Sequence, residues 1–483
     1  MSAAEAYSLA GYLCLTGALL VLLVVVGLVR SHKTAMLTTV VGLLATGAAL
    51  LMTLDAPALT VLHLLRLDGF AAFFNILFVI AALVTTLLGY RYLEGRRGEL
   101  EEFYLLVLLA TLGAMVMAAA IHFATFMLGL EILSISLYAM IAYPEEKHPP
   151  LEAALKYLVL SAVASTTVLF GMALIYNATG TMFFHDTALP ADDKLVMHLR
   201  VGQALLFTGI AFKLSLVPFH MWTPDVYQGA PAPVTGYVAT VSKGAVFALL
   251  FRLGVEGDAL SGPVVFYSLS AFAVLSMVVG NLLALRQDNL KRLLAYSSIA
   301  HMGYLLVALI GVAYLADTRF TITTTMIYLA AYVLMTLVAF GVVAMLSSSE
   351  AGDDAQTSAQ YQGLLWRRPL PAICMIVAML SLMGMPLTVG FIGKFYLIAT
   401  GVQGALWVLL WALIIGSAIS VYYYVRVIYV MTRNDTPAAY PHPQQTGLGL
   451  PVVVVLSLAV IAIGVYPSPL LEIIDRLIGD FGM

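Results

Sequence analysis

Apolar runs of 18 or more residues recur along almost the whole chain, and no other feature narrows the possible folds as far. Runs of that length are the signature of helices that cross a lipid bilayer, where each backbone N–H and C=O must be satisfied within the segment. Apolar residues make up 62% of the 483 and charged residues only 10%, with a mean hydropathy of +0.98. The net charge of −3 argues against nucleic acid as a partner. Cys14 and Cys374 both lie inside apolar runs without metal-ligand spacing, and read as small core residues.

Fourteen spans are predicted, at about 7–29, 34–54, 69–93, 103–120, 123–143, 151–177, 201–222, 231–253, 262–285, 293–313, 321–346, 370–400, 404–430 and 449–467. The expected fold class is therefore an all-α polytopic membrane protein. Its orientation follows from basic residues in the connections. One side holds Arg30, Lys33, Arg91, Arg96, Arg97, Lys147, Arg286, Lys291, Arg292, Arg367, Arg368 and Arg433, which is 12; the other holds Arg66, Lys194, Arg200, Arg252, Arg319 and Arg476, which is 6. The positive-inside rule makes the richer side cytoplasmic, and an even number of spans then puts both termini outside. Of 23 Lys and Arg, 23 − 18 = 5 remain within spans: Lys156, Lys213, Lys243, Lys394 and Arg426. Arg426 lies near a cytoplasmic end and can snorkel. The four lysines need another reason, since a charge at mid-bilayer costs about 2.5–3.5 kcal/mol on insertion scales.

An internal repeat supplies part of it. Residues 1–102 hold the first three spans, and 449–483 the fourteenth and its tail. Between them, 103–253 and 262–433 each hold five spans. Five is odd, so the second set enters the membrane from the opposite side, an inverted repeat. The fourth span of each set is interrupted. Lys213 is followed by Pro218, while Pro386 precedes Lys394 among glycines 384, 390 and 393. Proline inside a helix removes an N–H and breaks or kinks it, and paired broken helices point to a transport site. The stretch Thr208–Lys243, with two lysines, one histidine and four prolines between apolar flanks, reads as a polar path inside a helix bundle. The polar segment Ser347–Arg368 reads as a cytoplasmic connection between spans 11 and 12.

Three stretches carry a specific resemblance: FKLSLVPFHMWTPDVYQGAPAPV, DNLKRLLAYSSIAHMGYLLVAL and MGMPLTVGFIGKFYL. They resemble the antiporter-like proton-pumping subunits of respiratory complex I, NADH:quinone oxidoreductase, and within that family subunit N in particular. EFYLLVLLATLG, LEAALKYLVLSA and YYYVRVIYV are similar to the same subunit. The resemblance implies a membrane-arm module that moves protons, with NADH, FMN, iron–sulfur clusters and quinone handled by partner subunits and no cofactor or metal held by this chain. Its implied neighbours are other antiporter-like subunits and small membrane subunits in a bacterial cytoplasmic membrane. Residue by residue, it implies Glu131 as the fifth-helix acid and Lys213 as that acid's partner. Lys243 becomes the central lysine, Lys394 the lysine of the broken twelfth helix, and Lys156 the sixth-helix lysine. His220 and His301 take the places of histidines along the same hydrophilic axis.

Each of these residues also has a plainer reading. Glu131 and Lys213 suit a structural ion pair, Lys156 and Lys394 suit snorkelling, His220 suits solvation of the WTPD turn, and His301 suits a hydrogen-bonded core histidine. Lys243 has the weakest plain reading, because no second deep acid remains to neutralise it. Gly390, Gly393 and Lys394 fall short of a phosphate loop, since Thr388 takes the first glycine position and Phe395 follows the lysine. The expected function is proton movement along a Glu/Lys axis. The rival readings are a free-standing sodium/proton antiporter, a subunit of a multi-part cation antiporter or membrane-bound hydrogenase, and a purely structural membrane subunit.

Overall fold

The computed structural model describes residues 2–94, 96, 98–143, 148–185, 192–257, 262–314, 318–347, 354–433 and 447–479. Arg97 and Lys147 of the basic count, and the last four residues of the chain, lie outside that set. After a short helical segment, Ala3–Ser8, three long helices follow: α1 (Ala10–Leu28), α2 (His32–Met52) and α3 (Gly69–Leu93). The first set follows as α4 (Glu102–Ala119), α5 (Phe123–Ala142), α6 (His148–Thr179), α7 (Asp193–Lys213), α8 (Trp222–Gly229) and α9 (Ala232–Glu256). The second set is α10 (Pro263–Leu285), α11 (Leu290–Tyr314), α12 (Thr318–Leu346), α13 (Pro369–Met383), α14 (Val389–Gln403) and α15 (Trp407–Thr432). The chain then runs through α16 (Gly449–Val465) and α17 (Ser468–Ile478).

Among the described residues, twelve helices are long and apolar enough to cross a membrane alone. Counting the bent pairs Ser358–Arg367 with α13, and α16 with α17, as one span each raises this to fourteen, while α14 is a shorter apolar helix. The two sets repeat their neighbours: α4 packs on α5 as α10 on α11, and α6 on both α7 and α8 as α12 on both α13 and α14. Likewise α4 meets α9 where α10 meets α15. Helices α9, α11 and α12 are almost wholly covered by other helices, whereas α1 keeps most of its apolar surface outward. Those three form the core, and of the candidate residues Lys243 lies on α9 and His301 on α11.

Three expectations need correction, and the all-α fold gains one short hairpin. The interrupted span of the first set starts at Asp193 rather than near 201, because Asp192 caps the helix by accepting from the Lys194 N–H. Lys194 and Arg200 are therefore helical. A small antiparallel hairpin, β1 (Leu59–Val61) with β2 (Leu65–Leu67), interrupts the all-α pattern between α2 and α3. Leu62 and His63 turn it with φ of 52° and 57°. Arg252 is no connection residue: it is fully buried near the end of α9, paired bidentately with Asp68 (2.9 and 2.8 Å) and with Glu256 (2.8 Å). Lys291, also counted as a cytoplasmic connection charge, is 0% exposed.

The C-terminal helix α17 bends 83° away from α16. It buries Ile474, Leu477 and Ile478 against the bundle, as an amphipathic helix lying across the end of a membrane domain does. The connection after α12 is equally tied down. Ala355 N–H donates to Ser347, Leu290 N–H to the Gln356 carbonyl, and Tyr361 hydroxyl to the Ala355 carbonyl.

Candidate functional site

Helix α7 ends at Lys213, and the chain passes through an eight-residue link before α8 begins at Trp222. The link contains Pro218 and a left-handed Ser215 (φ 62°). The freed backbone groups find partners inside protein, as an interruption at membrane depth requires. Trp222 Nε1 donates to the Phe212 carbonyl at 3.0 Å, and Val217 N–H donates to Ser276 at 2.9 Å. The second break runs through Gly384–Thr388 and includes Pro386. Gly384 ends α13 with φ +86°, and Gly390 N–H donates to Ser381 Oγ across the gap at 3.1 Å.

Lys213 is 3% exposed at the C-terminal end of α7, where a cation suits the helix dipole. Its Nζ donates to Ser134 Oγ at 2.8 Å and Ser161 Oγ at 2.6 Å. Tyr138 donates to the same Ser161 at 2.6 Å. Glu131 lies one turn before Ser134 on α5, with Oε1 buried and without a hydrogen-bond partner among the described residues. No ion pair within 4 Å joins Glu131 to Lys213 among those residues, so two serines stand where the expectation placed a carboxylate.

Lys243 follows a π-helical turn, Val238–Ser242, and is 0% exposed. Such turns are frequent at functional sites. Its Nζ donates to Ser298 Oγ of α11 at 2.7 Å and stands 5.5 Å from the Tyr227 ring centre. Ser298 also meets the Tyr332 hydroxyl at 2.5 Å and that of Tyr227 at 3.4 Å. Three residues on, His301 Nδ1 lies 2.6 Å from the Tyr328 hydroxyl, and its Nε2 is 3.5 Å from that of Tyr424, which is bonded in turn to Ser297. His301 is thus a buried core histidine hydrogen-bonded to two tyrosines.

Lys394 is 7% exposed, which rules out snorkelling. Its Nζ donates to the Met383 carbonyl, the free C-terminal end of α13, at 2.8 Å, and stands 5.4 Å from the Tyr304 ring centre. A Cβ on Gly384 would come within 2.7 Å of Lys394 Cδ. The two break lysines thus match in kind but not in place, since Lys213 precedes its break and Lys394 follows its own.

His220 is 6% exposed in the first link, and its Nδ1 has no partner among the described residues. Lys156 does not join the buried set. Its side chain is 46% exposed, bonded to Glu152 (2.7 Å) one turn earlier and to Asp225 (3.3 Å). Buried hydroxyls were missed individually: Ser134, Ser161, Ser298, Tyr227, Tyr328 and Tyr332. The spacing Tyr328–Tyr332 puts both rings on one face of α12 and was available in the sequence.

Residues 104–420 match the family described as NADH:quinone oxidoreductase/Mrp antiporter, TM. The chain belongs to that family. Its fold agrees with a chain of respiratory complex I from Thermus thermophilus solved with bound aureothin, at 33% identity over 96% of this chain and 98% of that one, with a TM-score of 0.82. It also shares the fold of a chain of the membrane-bound sulfane sulfur reductase, an archaeal respiratory membrane complex, with 24% identity over 98% and 97% and a TM-score of 0.85. The Mrp complex from Dietzia sp. DQ12-45-1b matches at 19% identity over 100% and 99%, with a TM-score of 0.85. The protein is an antiporter-like, multi-pass membrane subunit of the type that multi-subunit membrane complexes contain.

Proposed function

We propose that this chain is a proton-translocating membrane-arm subunit of NADH:quinone oxidoreductase, of the subunit N type, and that protons pass along Lys213, Lys243 and Lys394. The observation that carries the reading is the set of three buried lysines with no ion pair within 4 Å among the described residues, each hydrogen-bonded to hydroxyls or a carbonyl. A scaffold has no use for three such groups, because each pays for desolvation without an ion pair in return. A lysine that must take and give a proton suits a place where its charged form is costly and its partners are neutral.

Protons enter from the cytoplasm through the first repeat, move from Lys213 to Lys243 and on to Lys394, and leave through the second. Ser298 with Tyr332, and His301 with Tyr328, serve as hydrogen-bonded carriers along this path. Glu131 acts as the switch. At an effective dielectric near 20, a carboxylate about 7 Å from an ammonium stabilises it by roughly 2.4 kcal/mol. Moving that carboxylate nearer or farther decides whether Lys213 holds its proton. NADH, FMN, iron–sulfur clusters and quinone belong to partner subunits, and both termini of this chain lie outside a bacterial cytoplasmic membrane.

The fold likeness to the Mrp and sulfane sulfur reductase chains favours one second reading, a homologous subunit of a cation/proton antiporter or membrane-bound hydrogenase complex. Purification through a tag on this chain from native membranes separates the two. Copurified subunits that oxidise NADH and reduce quinone are the expected result, whereas a complex with sodium-dependent exchange and no NADH oxidation contradicts it.

A further inference from the structure

Lys291 and Arg292 open α11, and the lysine axis uses neither. Lys291 Nζ donates to Asp354 Oδ2 and to the Ala230 carbonyl, both at 2.5 Å, while Asp354 Oδ1 accepts from the Tyr92 hydroxyl at 2.7 Å. Ala230 closes α8, one residue before Pro231 and α9. Arg292 Nη1 grips the body of the same short helix, donating to Asp225 Oδ1 at 2.8 Å and Gln228 Oε1 at 3.0 Å. The other oxygen of Asp225 is 3.3 Å from Lys156 Nζ. The first turn of α11 therefore holds α8 at two points.

Helix α8 carries Tyr227, which meets both Ser298 and Lys243. Ser298 lies seven residues beyond Lys291, two turns along the same face of α11. The position of Tyr227 relative to Ser298 is thus set by the contacts at the start of α11. A buried ion pair is a weak source of stability, because apolar replacements are often neutral or better, so holding geometry is the stronger reason for Lys291 and Asp354.

We infer that Lys291 and Arg292, with Asp354 and Asp225 as their counter-charges, are positioning residues that keep the second half of the first broken helix in register with α11 and so fix the hydroxyls around Lys243. The inference rests on the proton axis proposed above. It also accounts for Lys156, which supports Asp225 at the edge of the bundle and carries no proton itself.

The test uses the intact complex in inside-out membrane vesicles, with electron transfer and proton uptake measured per complex in H2O and in D2O. Lys291→Met and Asp225→Asn are each expected to lower coupled turnover about three- to tenfold and to raise its solvent isotope effect, because a misplaced transfer site makes the proton step slow. Asp225→Glu, which keeps the charge, is expected to restore most of the rate. Should Lys291→Met fail to assemble, Asp225→Asn decides alone, since Asp225 and Arg292 are both partly exposed and neither is left buried without water. Wild-type turnover and isotope effect per complex in Asp225→Asn overturn the inference, even if the amount of complex falls. Lys243→Ala in parallel keeps the two failures apart. Normal pumping in that variant sinks the axis, while its failure beside normal Asp225→Asn complexes sinks only the positioning role.

Discussion

Glu131 is the candidate residue whose surroundings differ most from what its spacing promised. Its carboxylate was expected to neutralise Lys213, yet Ser134 and Ser161 take the lysine's donors and Glu131 Oε1 is left buried without a partner among the described residues. A group in that condition is costly as a scaffold and useful as a movable charge. Glu131→Gln is expected to slow coupled proton uptake and electron transfer several-fold while leaving the amount of complex unchanged, because side-chain volume is kept. Glu131→Asp is expected to be milder. Wild-type rates of proton uptake and electron transfer per complex in the Glu131→Gln membranes would confine the residue to a structural role. The deep lysines were legible because an ammonium in an apolar run is rare and costly. Their hydroxyl partners were not, since serine and tyrosine are common in membrane helices and only packing shows which of them meet. Lys156 lies near the start of α6, and its side chain runs outward to Glu152 and Asp225, in keeping with its plainer reading.

At the scale of elements, both interruptions were legible from proline and glycine beside a lysine, and each falls where Pro218 and Pro386 put it. The sealing of each break was not legible. The second depends on a close approach that only glycine permits: a Cβ on Gly390 would stand 1.9 Å from the Ser381 carbonyl oxygen. Gly390→Ala is expected to force α14 away from α13 and to cost about 1–3 kcal/mol, as overpacking does, read as a lower melting temperature of the purified complex. Gly17→Ala is the control, since a Cβ there meets nothing within 4 Å, and it is expected to leave the melting temperature unchanged. Equal melting temperatures for the two variants would mean that the break closes with room to spare. The hairpin escaped sequence reading because three-residue strands lie below the length at which alternation can be read.

At the scale of the whole molecule, the number of crossings and the two five-helix sets were readable from hydrophobic runs alone. The inverted relation expected of them rests on that odd count. Which basic residues are solvated was not readable in this way. Lys291 and Arg252 counted on opposite sides of the topology, but both are buried in ion pairs that join distant parts of the chain. Removing these two residues, one from each side, preserves the bias at 12 − 1 = 11 against 6 − 1 = 5. Activity-reporting fusions at the C-terminus are therefore expected to be active only outside the cytoplasm, and a fusion active only inside would require a miscounted crossing.

The central claim is that Lys243 passes a proton rather than supplying a fixed charge, and one substitution separates these roles. Arginine keeps a positive charge at that place but does not give up its proton at any physiological pH. The measurement is proton uptake per electron pair by inside-out vesicles containing the intact Lys243→Arg complex, beside Lys243→Ala and wild type. The account predicts that both variants assemble and that both lose translocation through this subunit. Wild-type pumping by the arginine variant would contradict it, since a charge that never leaves would then serve as well as the lysine.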